Sequence, residues 1–195
     1  MIIIDWAEFL QDGIPLEGKL SSMTVGVFDG VHRGHQALIE RIVSHNTEYI
    51  PVIVTFRENH KTGNTESEDI QTFQEKIAMF EKLGIQITVV IDFTDSFRRM
   101  PGIEFLEILL KHGNIGFFAA GSDFRCGYKL DTNSADIQKF FTSHGVPAEV
   151  VPEVMEGSLP VSSSRIRAAL AAGDSALAQS MLGAQVCTAL SCADE

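Results

Sequence analysis

Short apolar runs alternate along this chain with longer stretches in which apolar positions recur every three or four residues. "MTVGVF" (Met23–Phe28), "YIPVIVTF" (Tyr49–Phe56), "IQITVVIDF" (Ile85–Phe93), "IGFFAAG" (Ile115–Gly121) and "PAEVVPEV" (Pro147–Val154) are compact runs rich in Val, Ile and Phe. Such runs predict strands buried on both faces. Between them, "HQALIERIVSH" sets Leu38, Ile39, Ile42 and Val43 at helical spacing, and "TFQEKIAMFEKLG" aligns Phe73, Ile77 and Phe80 ahead of Gly84. "GIEFLEILLKHG" and "ADIQKFFTSHG" are further helices closed by glycine, and "SSSRIRAALAAG" and "SALAQSMLG" are two short ones at the end. Glycine stops a helix because it enters left-handed backbone without a side-chain clash. Five strands alternating with helices predict an α/β fold, a doubly wound parallel five-stranded sheet covered on both faces. Ligands of such sheets bind beyond the carboxyl ends of the strands, at the switch point of the topology. The polar stretch "RENHKTGNTESED" (Arg57–Asp69) follows one such end, and it reads equally as a loop over the site or a solvated connector.

The 195 residues suffice for one domain spanning 1–195, and 45% hydrophobic residues supply its core. A formal net charge of −11 argues against nonspecific nucleic-acid binding, since the phosphate backbone would be repelled. It leaves room for a small phosphorylated ligand in a locally basic pocket. Three cysteines, Cys126, Cys187 and Cys192, form no CxxC pair and suit a reducing cytoplasm. No apolar window is long enough for a membrane span, and "MIIIDWAEFL" lacks the basic start of a signal peptide.

Two stretches carry chemistry. In "TVGVFDGVHRGH" (Thr24–His35) a strand gives way to a helix that starts near Arg33 or Gly34, so free N–H groups point at the strand ends. Gly26 and Gly30 allow backbone to approach a ligand. His32 and His35 fall on one side of the first turn, and Gly34 keeps the space between them clear. Two imidazoles there can donate hydrogen bonds to phosphoryl oxygens as charge develops. The same spacing would suit a metal pair, although zinc needs a third ligand and only Asp29 is near in sequence. They could also be capping or core histidines. "LPVSSSRIRAALAAGD" (Leu159–Asp174) repeats the logic: Ser162, Ser163 and Ser164 precede a helix whose first turn holds Arg165 and Arg167. Cations there oppose the helix dipole, and a polyphosphate would relieve them. A plain capped surface helix with snorkelling arginines is the alternative.

The first stretch resembles the HxGH signature of the nucleotidyltransferase superfamily, and "VSSSRIR" resembles its ISSTxxR motif, with Val161 for Ile and Ser164 for Thr. "AAGSDFRCGYK" (Ala119–Lys129) narrows the match to the adenylyltransferase (FAD synthetase) module of the bacterial bifunctional riboflavin kinase/FAD synthetases. That family carries a GxDFxFG segment after its fourth strand; Gly121, Asp123, Phe124, Arg125 and Gly127 match, and Cys126 replaces the second Phe. The resemblance runs from about Met23 to about Leu182. It implies a Rossmann-like fold of nucleotidyltransferase type. It also implies the reaction FMN + ATP → FAD + pyrophosphate, with Mg²⁺ accompanying ATP and no covalent enzyme intermediate.

Carried over residue by residue, His32 and His35 would stabilise the α-phosphate, and Ser164 and Arg167 would hold the departing pyrophosphate. Gly26, Val27, Phe28, Asp29, Gly34, Ser162, Ser163 and Arg165 would form the nucleotide site. Thr55, Phe56, Gly121, Asp123, Phe124 and Arg125 would lie on the flavin or adenosine side, with Asp123 alternatively a turn-former. Three departures stand out. The family usually has Asn where Val27 stands. Its strand-two TFxPHP signature becomes "TFRENHK" here, leaving Arg57 or Lys61 as substitute contacts for the FMN phosphate. Finally, "GAQVCTALSCADE" is too short for the kinase barrel that follows in the family, which implies a separate riboflavin kinase as the source of FMN. Two other readings remain open: the same chemistry on another phosphorylated acceptor, and a non-catalytic nucleotide- or flavin-binding protein.

Overall fold

The computed structural model describes residues 1–57 and 69–183. The chain runs through β1 (Ile2–Asp5), α1 (Trp6–Asp12), β2 (Leu20–Val25), α2 (Arg33–Val43), β3 (Tyr49–Phe56), α3 (Phe73–Lys82), β4 (Ile87–Ile91) and α4 (Asp95–Arg98). It continues through α5 (Gly102–Gly113), β5 (Ile115–Gly121), β6 (Arg125–Cys126), β7 (Thr132–Asn133), α6 (Ser134–Ser143) and β8 (Ala148–Val151). A small hairpin, β9 (Met155–Glu156) and β10 (Leu159–Pro160), leads into α7 (Ser163–Ala171) and α8 (Ser175–Leu182).

Six of these strands make one sheet in the order β1-β4-β3-β2-β5-β8. Every neighbouring pair is parallel. The sheet therefore has six strands, not the five expected. The additional strand, β1, is four residues long at the edge, and its Ile2 and Ile3 are each 50% exposed. An edge strand with one covered residue shows no alternation from which a sequence could announce it. The short helix α1 was unannounced for a related reason, since Phe9 is its one buried residue.

Side chains of the strands alternate between two cores. Met23, Val52, Val54 and Phe118 face α1, α5 and α6. Ile53, Phe117 and Ala119 face α2, α3, α7 and α8. From β2 the chain winds outward through β3 to β4, then crosses back to β5 on the other side of β2. The connections after β2 and β5 thus part to opposite faces, and a crevice opens between the carboxyl ends of these two strands.

One close backbone approach joins the segment after β6 to the start of α5. Gly127 has φ 83°, and a Cβ on it would lie 2.2 Å from the amide nitrogen of Gly102, the first residue of α5. Substitution Gly127→Ala therefore meets both a left-handed backbone and an immovable neighbour. It is expected to lower the unfolding free energy by roughly 3 kcal/mol, measured by urea denaturation with an unchanged m-value.

Candidate active site

The loop from β2 to α2 follows a path that most sequences avoid. Phe28 (φ 55°), Gly30 (φ 80°) and Val31 (φ 35°) all lie at positive φ, and for a β-branched residue this is strained. Side chains from the surrounding elements hold the loop there by its carbonyls. Thr55 Oγ1 and Lys76 Nζ donate to Val27 O at 3.2 and 3.3 Å. Gln71 Nε2 donates to Phe28 O at 3.3 Å, Ser163 Oγ to Asp29 O at 2.9 Å, and Gln36 Nε2 to Val31 O at 2.8 Å. The Asp29 carboxylate accepts the Ile70 amide at 2.9 Å and forms an ion pair with Arg167.

The loop delivers His32 as the cap of α2. Its Nδ1 accepts the His35 amide at 3.3 Å, so its ring hydrogen is carried on Nε2. The two imidazoles stack with centroids 3.6 Å apart and planes 16° from parallel. A Cβ at Gly34 would press to 3.2 Å from the His32 ring, which accounts for glycine between them. Ser162 caps α7 in the same manner, accepting the Arg165 amide at 3.3 Å.

These two openings share a property that the other helices lack. α1, α3, α4, α5 and α6 each carry an acidic residue in the first turn, and Asp174 caps α8. Neither α2 nor α7 has an acid in its first turn or at its cap. Their free amides and positive dipole ends remain for an external anion. Both openings line one cleft of about 290 Å³ beyond the ends of β2, β5 and β8, with His32, His35, Gly34, Ser164 and Arg167 all on its wall.

Most of the residues singled out in the sequence come together here. Gly26, Val27, Phe28, Asp29, Ser162 and Ser163 line this cleft, as do Gly121, Asp123, Phe124 and Arg125. Val27, Phe124 and Arg125 also border a second, apolar cavity of about 230 Å³, walled further by Phe56, Phe93, Phe97 and Phe105. Three residues sit elsewhere than expected. Arg165 turns away from the cleft and donates to the carbonyls of Leu159, Pro160 and Glu156, so it fastens the β9–β10 hairpin. Thr55 is fully buried and acts on the Val27 carbonyl rather than on either cavity. Arg57 pairs with Asp92 at 2.8 Å and lies over the Phe73 ring. Lys61 and the altered end of "TFRENHK" lie outside the described residues, as do Cys187 and Cys192. Among the described residues no group of three or more His, Cys, Asp or Glu could hold a metal ion.

Burial raises the carboxyl pKa of Asp29 above its ordinary value, against the opposing pull of the Ile70 amide and the Arg167 charge. Burial pushes the Lys76 ammonium down to about 8, while Asp29 and Asp69 oppose the shift. Sequence pattern missed Lys76. It expected Phe73, Ile77 and Phe80 on the inner face of α3, but the buried stripe is Lys76, Met79 and Phe80. The available signal was a lysine one helical turn before the buried Phe80. Among the described residues no helix is long and apolar enough to cross a membrane.

Comparison with known proteins accords with this geometry. Bifunctional riboflavin kinase/FMN adenylyltransferase of Escherichia coli (strain K12) is 30% identical over 175 residues, covering 87% of this chain and 55% of that protein. The protein of the same description from Bacillus subtilis (strain 168) is 30% identical over 173 residues, covering 86% and 54%. The chain thus spans about half the length of the curated relatives it matches. Among solved structures, one described as a macrolide-efflux protein from Streptococcus pneumoniae superposes with a TM-score of 0.80 at 26% identity, covering 94% of this chain and 60% of that one. A pantoate-beta-alanine ligase from Francisella tularensis shares the fold at a TM-score of 0.57 and 16% identity, covering 85% and 72%. The family described as FAD synthetase matches residues 16–165, and the chain belongs to it.

Proposed function

We propose that this chain is an FMN adenylyltransferase, joining AMP from ATP to FMN to give FAD and pyrophosphate. The observation that carries the reading is the meeting of two carboxylate-free helix openings in one cleft, beside an apolar cavity that shares part of its wall. A triphosphate is the anion that suits two such openings. A planar aromatic ring suits a cavity walled by phenylalanines.

Mg²⁺ accompanying ATP would offset charge on its phosphates. An FMN phosphate oxygen attacks the α-phosphorus in line. The new P–O bond forms as the bond to the bridging oxygen breaks, and pyrophosphate leaves with that electron pair. No protein nucleophile is needed; positioning and charge stabilisation supply the rate. His32, with its hydrogen on Nε2, and His35 donate to the α-phosphate oxygens as charge builds, aided by the amides that open α2. Ser164, exposed on the cleft, and Arg167 hold the β- and γ-phosphates from α7. Ser162 and Ser163 set that helix, the first as its cap and the second by fastening it to Asp29 O. Gly121 and Asp123 border the triphosphate cleft alone, which supports a role for them on the nucleotide side. Phe56 borders the apolar cavity alone and Phe124 and Arg125 border both, which supports a role for them on the flavin side.

The decisive assay incubates the chain with MgATP and a panel of phosphorylated acceptors, including FMN and nicotinamide mononucleotide, and reads products by mass spectrometry. FAD and pyrophosphate in equal amounts are expected. AMP transfer to a non-flavin acceptor alone would overturn the flavin assignment, and binding of ATP with no product would favour a non-catalytic role.

Two substitutions probe the parts. His32→Ala should lower kcat by about two orders of magnitude, the usual loss when a transition-state donor is removed. His32→Asn restores a cap for α2 without the ring donor. It should recover thermal stability and not turnover. Asp29→Asn keeps an acceptor for the Ile70 amide but strips Arg167 of its counter-charge. Because burial raises the Asp29 pKa despite Arg167, its charge adds no net stability, and the unfolding free energy should stay within about 1 kcal/mol of the unaltered chain, read from the urea midpoint.

A further inference from the structure

Lys76 is 6% exposed, on the buried stripe of α3. Its Nζ donates to Phe56 O at 2.7 Å and to Val27 O at 3.3 Å, and the Phe73 ring lies 5.5 Å below it. A methionine of similar length would pack on that stripe without the cost of stripping water from an ion, so helix packing alone does not explain an ammonium there. The two carbonyls it joins do. The ladder between β2 and β3 ends with the pair Val25 and Val54, extended by the Gly26 amide bonding to Val54 O at 3.1 Å. Beyond that point no backbone ladder joins the two strand ends, and Thr55 Oγ1 bridges them by donating to Val27 O at 3.2 Å. Lys76 spans the opening and ties them with one side chain. Val27 borders both cavities, and Phe56 borders the apolar one.

Building on the FMN adenylyltransferase reading, we propose that Lys76 is a positioning residue that fixes the wall between the triphosphate cleft and the apolar acceptor cavity, by clamping Val27 and Phe56 through their carbonyls. The triphosphate itself is held elsewhere, by the openings of α2 and α7. The clamp therefore acts on where the acceptor's phosphate sits relative to the α-phosphorus, and much less on the affinity for ATP. Displacement of a reacting group by a fraction of an ångström lowers turnover steeply.

The test compares the unaltered chain with Lys76→Met, which removes all donors, and Lys76→Arg, which keeps charge and donors. Initial rates are measured with FMN and MgATP varied in turn. Lys76→Met is expected to raise KM for FMN about tenfold and lower kcat about tenfold, with KM for MgATP within about twofold of the unaltered chain. Lys76→Arg is expected to regain most of both losses. Thermal unfolding is followed in parallel; should Lys76→Met not be folded at assay temperature, Lys76→Leu, which also has no donor, carries the same comparison. A rise in KM for MgATP equal to that for FMN would mark a general loosening and overturn the clamp, as would unchanged kinetics in Lys76→Met. Absence of FAD from the unaltered chain would instead overturn the reading on which the clamp rests.

Discussion

The buried carboxylate of Asp29, paired with Arg167 and bonded to the Ile70 amide, joins segments that are far apart in the chain. It lies in the loop after β2, its charge partner lies in α7, and its amide partner lies just ahead of α3. Together with Ser163 Oγ donating to Asp29 O and Arg33 pairing with Glu156, that junction keeps the openings of α2 and α7 facing one another, although they belong to connections separated by well over half the chain. Such a pair is seldom a net gain in stability over an apolar substitute, since both ions lose water. What it supplies is placement. The left-handed backbone at Phe28, Gly30 and Val31 is retained for the same reason: neighbouring side chains bond to the loop's carbonyls and leave it no relaxed alternative.

On the proposed function, a chain of net charge −11 has to admit a triphosphate, which is an electrostatic problem. It does so by distribution. Acidic residues are placed at the starts of the helices away from the cleft, where they cap amides and oppose the dipole, as Glu75 and Asp136 do in their capping boxes. The two openings on the cleft are capped by His32 and Ser162, acceptors with no formal negative charge in these roles. The two helix openings thus offer the cleft main-chain amides and dipole ends beside Arg125 and Arg167, although Asp29, Asp123 and Glu153 also line it. Salt screens such a short-range arrangement less than it screens a diffuse basic surface.

The strands buried on both faces and the long helices were legible because their patterns are dense: β3 spans Tyr49–Phe56 and α5 spans Gly102–Gly113, the very stretches that apolar run and glycine stop define. The two phosphate-type motifs were legible too, since glycine, histidine and serine at a strand–helix junction serve few other purposes. What stayed hidden depends on long-range contact. β1 exists because Ile2–Asp5 finds the free edge of β4, which no local pattern in four residues can announce. Arg165 and Arg167 look equivalent in sequence, two apart on one helix turn. Fold geometry sends the second to Asp29 and the first to the carbonyls of the hairpin before it. Lys76 was hidden by the assumption that a lysine lies on the outer face of an amphipathic helix.

The departures from the family's sequence pattern take on a different weight once the main chain is considered. Val27 stands where the family usually has Asn, and the loss of an amide there looks serious if side chains do the work. Yet the polar contacts at this position are made by the Val27 carbonyl, which accepts from Thr55 and Lys76 whatever side chain is attached. The side chain faces the partition between two cavities, where valine adds apolar surface to the wall. Cys126 replaces an aromatic residue on the lining of the apolar cavity, and burial holds its thiol neutral with a pKa pushed up to about 12. A neutral, weakly polar thiol behaves there as a small apolar group. Both substitutions therefore change apolar wall without adding or removing a formal charge at the cleft, and Ser164, where the family has Thr, keeps its hydroxyl on that cleft.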